Sequence, residues 1–186
     1  MTDDDLEQLR RDVQYLKDRQ AIYDCIALHA RGHDRHDVEI LTSVYHEDGV
    51  DEHGFAINPG PKYAEWSNAT HTAGGKLQAH NITTHLCEID GDTAHTESYV
   101  MVAILNNDEI TSRIITGRYI DRLERRNGEW KIALRRSTID VLIAGDASLL
   151  KAPVLRSQGY IKGMRDKTDL TYQRPLSLDE TTADRW

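Results

Sequence analysis

Apolar residues recur at helical spacing along the first part of the chain. One stripe has members three or four positions apart: Leu6, Leu9, Val13 and Leu16. Thr2 and the aspartates that follow it favour a helix start, because acids near a helix N-terminus interact well with its dipole. Asp18 is a suitable cap for a second helix. The pattern therefore predicts two successive helices, and the stripe of the first packs on the body or on a neighbouring subunit.

The second predicted helix has an inner face formed by Ile22, Ile26 and His29. His29 lies three positions after Ile26, so its imidazole continues the apolar face instead of pointing to water. A third, short helix is predicted from about Asp37, and a fourth over residues 62–72.

After Gly74-Gly75 the pattern changes to strand-like alternation. Four segments are predicted as strands: residues 78–89, 93–105, 112–125 and 130–142. Asp90-Gly91-Asp92 joins the first two and Asn127-Gly128 the last two, and such dipeptides between alternating runs are strong hairpin signals. Helices followed by an antiparallel meander predict an α+β fold with the helices on one face of a curved sheet.

Length and composition restrict the class of protein. At 186 residues the chain is expected to form one domain, which we place at residues 1–142. Residues 143–186 are predicted to be an extension that packs on the domain or on a neighbouring subunit, with its last residues disordered. A net charge of −8 argues against binding to nucleic acids or to anionic membranes.

The sequence shows neither a targeting segment nor a cysteine pattern typical of disulfides. The acidic N-terminus lacks the apolar segment of a secretory signal, and no apolar run approaches the roughly 20 residues that span a bilayer. Cys25 and Cys87, with no CxxC motif, are predicted to be reduced thiols. We therefore predict a cytoplasmic location.

The candidate chemistry is concentrated in residues 29–37, and above all in Asp34. This acid comes just after Gly32 and His33, where the helical pattern ends. A carboxylate there faces the negative end of the helix dipole, so it needs a partner from elsewhere. We predict that the partner is His80 and that the two form a base in a pocket. The alternative is that Asp34 merely caps the next helix in a solvated turn.

Other candidate residues also have structural interpretations. His80, at the start of a strand, can be a structural residue whose ring nitrogens are hydrogen-bonded. Tyr119 can be an ordinary residue of the hydrophobic core. Arg135 and its neighbour can pair with Glu88 or Glu97 across the sheet. The His33-x-x-His36 spacing suits a metal, but no third ligand follows at a characteristic spacing, so no metal or other cofactor is predicted.

Several short motifs occur in an order that resembles the SnoaL-like branch of the NTF2-like superfamily. They lie at residues 16–22, 33–37, 45–49, 88–94, 117–119 and 124–131, together with His80. The resemblance covers about residues 12–140. It implies a cone in which three or four helices close a strongly bent, mostly antiparallel sheet over a deep pocket.

Within that superfamily the chain looks most similar to the hexachlorocyclohexane dehydrochlorinase, bile-acid 7α-dehydratase and scytalone dehydratase group. The resemblance implies an Asp-His pair at Asp34 and His80, a basic residue at Arg135 and an aromatic one at Tyr119. His29 stands where those enzymes have Lys or Tyr, so their substrates cannot be carried over. The lyases of this group are mostly trimers, so a homo-oligomer is expected, with a trimer favoured over a dimer.

These residues together predict a cofactor-independent lyase that acts as a dehydratase. Asp34 would orient His80 as the base, His29 would protonate the departing hydroxyl, and Arg135 would hold Asp34 or stabilise developing negative charge. A pocket formed by apolar and aromatic side chains favours a hydrophobic cyclic substrate such as a steroid: Tyr119, Trp66, Tyr63, Ile82, Met101 and Ile115. Two alternatives stay open: an isomerase or polyketide-type cyclase with the same base, and a non-catalytic module that binds a small molecule.

Overall fold

The chain begins with one long helix, α1 (Asp3–Arg35), in a computed structural model that describes residues 2–178 and 184–186. Thr2 and Asp5 form a capping box at its start, and His36 ends it in the left-handed conformation. The predicted break at Asp18 is wrong. Asp18 lies inside α1, where its carboxylate accepts hydrogen bonds from the guanidinium of Arg125 and the indole nitrogen of Trp130, both at 2.9 Å. No glycine or proline interrupts the helix there, and these long-range partners satisfy the acid.

Two further helices and a β-hairpin complete the first half of the chain. Helix α2 (Val38–Ser43) is capped by Asp37, whose side chain accepts from the backbone of Ile40. Helix α3 (Gly60–Gly74) begins slightly earlier than predicted. Strands β1 (Tyr45–His53) and β2 (Ala56–Pro59) lie between these helices and pair antiparallel.

The remaining strands form the long meander that the alternation predicts. Their bounds are β3 (Leu77–Asp90), β4 (Thr93–Leu105), β5 (Thr111–Arg126) and β6 (Glu129–Asp146). The sheet order is β2-β1-β6-β5-β4-β3, and every pairing is antiparallel except β1 with β6. This α+β architecture, with helices followed by a curved and mostly antiparallel sheet, confirms the predicted fold class.

Local turn chemistry and one close contact shape the sheet. Gly91, Asn127 and Gly128 all have positive φ, as the two predicted hairpins require. At Gly117 the pairing of β5 with β6 shifts register, and a Cβ there would lie 2.0 Å from the carbonyl oxygen of Thr138. Only glycine allows the two backbones to approach this closely at the irregularity.

The main core group lies between α1 and the sheet and includes Ile22, Ile26, Leu123 and Ile132, all fully buried. A second group on β4 and β5 contains Val100, Val102, Ile104 and Tyr119 and borders a cavity. Cys25 and Cys87 are free thiols. In the described part of the chain, no helix is both long and apolar enough to cross a bilayer.

The chain after β6 returns to the C-terminal end of α1. It contains a short helix, α4 (Pro153–Arg156), and two single 3-10 turns at Ser148–Lys151 and Leu170–Tyr172. Lys167 and the Tyr172 hydroxyl both contact the Asp37 carboxylate at 2.6 Å. Of the segment predicted to be disordered, residues 179–183 lie outside the described residues.

Candidate active site

Asp34, in the last turn of α1, meets His80 near the start of β3. Nδ1 of His80 lies 2.7 Å from Oδ1 of Asp34, and the backbone N–H of His80 donates to both carboxylate oxygens at 2.9 and 3.1 Å. Both side chains are largely buried. The structure thus brings the two predicted residues together. The ring and backbone donors of His80 satisfy the Asp34 carboxylate, which the C-terminal end of a helix does not stabilise. The alternative that Asp34 caps the next helix is wrong, because Asp37 does so.

His80 lines a cavity of about 520 Å³ bounded by α3, strands β3 to β6 and the end of β1. Half of the other lining side chains are apolar or aromatic: Trp66, Val100, Val102, Ile104, Ile115, Tyr119 and Ile139. Three of these, Trp66, Ile115 and Tyr119, were predicted as pocket residues. The polar side chains around the cavity include His53, His71 and Gln78.

Three other predicted pocket residues do not line this cavity. Met101 is 39% exposed and lies on the opposite face of β4, because successive strand residues point to opposite faces and Val100 and Val102 take the inner one. Tyr63 is fully buried behind the cavity wall, with its ring centroid 5.7 Å from that of Trp66. Ile82 lines a separate cleft that Asp34 and His80 also border.

His29 is fully buried, as its place on the apolar face predicts, but it is not at the cavity. Its Nε2 lies 2.9 Å from the hydroxyl of Tyr45, and that hydroxyl donates to Asp51. Burial, and then the charge of Arg135, lowers the pKa of His29 well below its usual value. The imidazole is therefore neutral at physiological pH, and the predicted position of His29 as a proton donor to a leaving group is wrong.

A second carboxylate–histidine pair, which the sequence analysis does not identify, lies at the cavity. Oδ1 of Asp51 lies 2.5 Å from Nδ1 of His53, and His53 lines the same cavity as His80. The two residues are separated by one position on β1, so they share a face of the strand. The spacing of Asp51 and His53 indicates such a pair only if the segment is a strand that extends to His53, because only then do the two side chains share a face. The Tyr45 hydroxyl supports this pair by donating to the other oxygen of Asp51, and His29 in turn contacts that hydroxyl.

Arg135 contacts neither Asp34 nor the acids of the surface alternative. Its fully buried guanidinium donates to both oxygens of Asp121 at 2.7 Å. The two residues lie directly opposite each other on β5 and β6, and the guanidinium stacks on Tyr119 at 4.0 Å from the ring centroid. The prediction that Arg135 holds Asp34 is therefore wrong. Arg135 supports the cavity wall through Tyr119 instead.

His33 is the centre of a histidine cluster that the sequence did not indicate. Its ring is buried, and neither nitrogen has a hydrogen-bond partner within the described residues. One nitrogen each of His33, His71 and His80 lie within 4.8 Å of one another, whereas His36 of the HxxH motif is not in this group. Zinc binds imidazole nitrogens at about 2.0–2.1 Å. Two of the ring nitrogens already have hydrogen-bond partners. Nδ1 of His71 contacts Gln78, and Nδ1 of His80 contacts Asp34. The absence of a metal stays a prediction.

Known proteins share the sequence pattern and the fold of this chain. The model of the SnoaL-like domain matches residues 14–136. No curated protein matches this chain. Among solved structures, the Mycobacterium tuberculosis protein Rv3472, of unknown function, is 27% identical with a TM-score of 0.61, over 69% of this chain and 75% of that one.

Two further structures share the fold at lower identity. Hexachlorocyclohexane dehydrochlorinase LinA-type3 from Novosphingobium barchaimii is 22% identical with a TM-score of 0.67, over 72% of this chain and 94% of that one. A candidate scytalone dehydratase from Novosphingobium aromaticivorans is 17% identical with a TM-score of 0.63, over 69% and 88%. The family match covers well over half of the chain, and the cone of helices on a curved sheet agrees with it. This chain belongs to the SnoaL-like domain family, within the NTF2-like superfamily.

Proposed function

We propose that this protein is a cofactor-independent lyase that removes water from a hydrophobic cyclic alcohol. The observation that carries the proposal is the Asp34–His80 pair, joined at 2.7 Å beside a mainly apolar cavity. The fold is shared with a hexachlorocyclohexane dehydrochlorinase and a candidate scytalone dehydratase, which is consistent with an elimination.

His80 is suited to remove a proton from carbon. The Asp34 carboxylate can only accept from Nδ1, so in the neutral ring the proton is on Nδ1 and the lone pair on Nε2. Within the described residues Nε2 has no hydrogen-bond partner. When it takes a proton, the adjacent carboxylate stabilises the resulting imidazolium, as in other oriented histidine bases.

His53 is suited to assist the departure of the hydroxyl group. In its protonated form the ring is ion-paired through Nδ1 with Asp51 and can give a proton through Nε2. The electrons of the broken C–H bond then form the new double bond, and the hydroxide leaves as water with the proton from His53. In this scheme His29 does not contact the substrate.

A panel of hydroxysteroids and cyclic β-hydroxy ketones tests the proposal. Incubation with the purified protein is expected to give products that have lost water, detected by mass spectrometry. His80→Ala should abolish this loss, and His53→Gln should slow it. Full activity in His80→Ala, or no loss of water across the panel, would contradict the proposal. Deuterium exchange into a substrate that keeps its hydroxyl would instead indicate an isomerase with the same base.

We further propose that the protein is a homo-oligomer, with a trimer favoured over a dimer. Apolar side chains on β4 and β6 are exposed on the outer face of the sheet in the single chain, including Met101 and Val141. Burying such a surface on a second copy is favourable at about 25 cal/mol per Å². Light scattering is expected to give an oligomer mass, and Val141→Glu should reduce it. A monomer at micromolar concentration would refute this proposal.

A further inference from the structure

His71 is a second imidazole that lines the cavity beside the proposed base. It lies in the last turn of α3, and its ring centroid is 5.8 Å from that of His80. The dehydration scheme above assigns it no role. Its surroundings nevertheless determine which of its nitrogens carries a proton.

The amide of Gln78 is held in one orientation by two groups. Its nitrogen lies 2.8 Å from the carbonyl oxygen of His33, which can only accept a hydrogen bond. Its oxygen accepts from the guanidinium of Arg165, which can only donate, at 3.2 Å. A flipped amide would place two acceptors against each other at His33 and two donors against each other at Arg165. The amide nitrogen therefore faces His33.

The same amide nitrogen lies 2.8 Å from Nδ1 of His71. Because Gln78 donates there, Nδ1 must be the accepting nitrogen, and the proton of the neutral ring is on Nε2. Burial, and next the proximity of His80, lowers the pKa of His71 to about 3. The ring is thus neutral in ordinary buffers, and its Nε2–H has no partner within the described residues.

We propose that Nε2–H of His71 donates a hydrogen bond to a carbonyl oxygen of the substrate, adjacent to the carbon that His80 deprotonates. This inference rests on the proposed function and narrows it to β-hydroxy carbonyl compounds with a hydrophobic ring. Gln78 and Arg165 are positioning residues, since they act through the tautomer of His71.

The chemistry of elimination explains why such a donor is useful. As His80 takes the proton, the electrons of the C–H bond move towards the carbonyl and negative charge develops on its oxygen. The resulting enolate re-forms the carbonyl when it expels the hydroxide, which leaves as water with the proton from His53. A fixed neutral donor stabilises the enolate, and loss of one such donor typically lowers kcat about 10²–10³-fold. We expect an effect of this size for His71→Phe, with KM little changed.

A carbonyl probe that cannot eliminate tests the contact without turnover. α-Tetralone has a ring carbonyl and no hydroxyl, and a hydrogen bond lowers its carbonyl stretching frequency. With saturating protein, the infrared band of the carbonyl is expected to shift to lower frequency in the wild type and to stay at the frequency of the free probe in His71→Phe. His71→Leu serves as a second variant should His71→Phe not fold. No shift in the wild type, no binding, or an equal shift in both variants would overturn the inference.

A substitution that hardly alters the size of the side chain at position 78 can move the proton of His71 to its other nitrogen. In Gln78→Glu an acceptor replaces the amide nitrogen, so the proton of His71 should move to Nδ1 and the carbonyl shift should be lost. Nitrogen NMR of histidine-labelled protein reports this move directly, and Gln158→Glu, on the surface, should cause none. An Nδ1–H tautomer in the wild type would also overturn the inference. If the shift depends on His71 but the panel loses no water, the proposed dehydration fails while the carbonyl contact stands.

Discussion

Replacing Asp34 with asparagine is expected to lower kcat/KM of dehydration by about 10²-fold or more, the range for loss of a positioned acid–base group. The asparagine keeps the shape of the aspartate, but it can hold His80 in the wrong tautomer and cannot balance an imidazolium. Binding of a substrate analogue should be nearly unchanged, because Asp34 contacts the ring and backbone of His80. Steady-state kinetics with the best substrate of the panel, together with analogue titration, provides the measurement.

The matched control is Asp24→Asn, which changes an exposed acid on the same helix and should leave activity intact. If Asp34→Asn weakened analogue binding in proportion to the loss of turnover, Asp34 would be a substrate contact. The interpretation of Asp34 and His80 as an oriented base would then be wrong.

Replacing Asp121 with leucine is expected to lower the free energy of unfolding by about 3–5 kcal/mol, because it leaves the fully buried guanidinium of Arg135 without its carboxylate. Chemical denaturation followed by circular dichroism measures the change. The double variant Asp121→Leu with Arg135→Met should recover much of the loss, since replacing both charges of a buried pair by apolar groups is often nearly neutral.

The exposed pair of Arg136 and Glu52 is the comparison, because it also joins a guanidinium to a carboxylate but lies near the surface. Glu52→Gln should change the free energy of unfolding by less than about 1 kcal/mol. Equal effects of Glu52→Gln and Asp121→Leu would show that burial of the ion pair does not determine its contribution. A double variant no more stable than Asp121→Leu would show that lost packing against Tyr119 dominates.

The most predictable parts of this protein are those encoded by neighbouring residues. The two hairpins at Gly91 and at Asn127-Gly128 follow from local turn chemistry, and the meander follows from alternation. The wrong prediction of a helix break at Asp18 has the same origin. Aspartate caps helices well, but here Arg125 and Trp130, which are distant in sequence, satisfy the carboxylate.

The candidate site was predictable only in part. Asp34 could be singled out because a carboxylate at a helix C-terminus needs compensation, and the family motifs indicated His80 as its partner. His53 was missed because its role depends on Asp51 and on the strand that orients both towards the cavity. Met101 was misplaced because a one-residue change in position along a strand moves a side chain to the other face.

The sequence by itself determined the four long strands of the meander, the hairpin positions, the burial of His29 and the need of Asp34 for a partner. These depend on periodicity, turn propensity and helix electrostatics, all of which act over a few residues. Only the tertiary structure decided that Arg135 pairs with Asp121, that His53 faces the cavity, and that Gln78 holds His71 in one tautomer. Each of these depends on groups that are distant in sequence, and strand register and helix packing determine whether they meet.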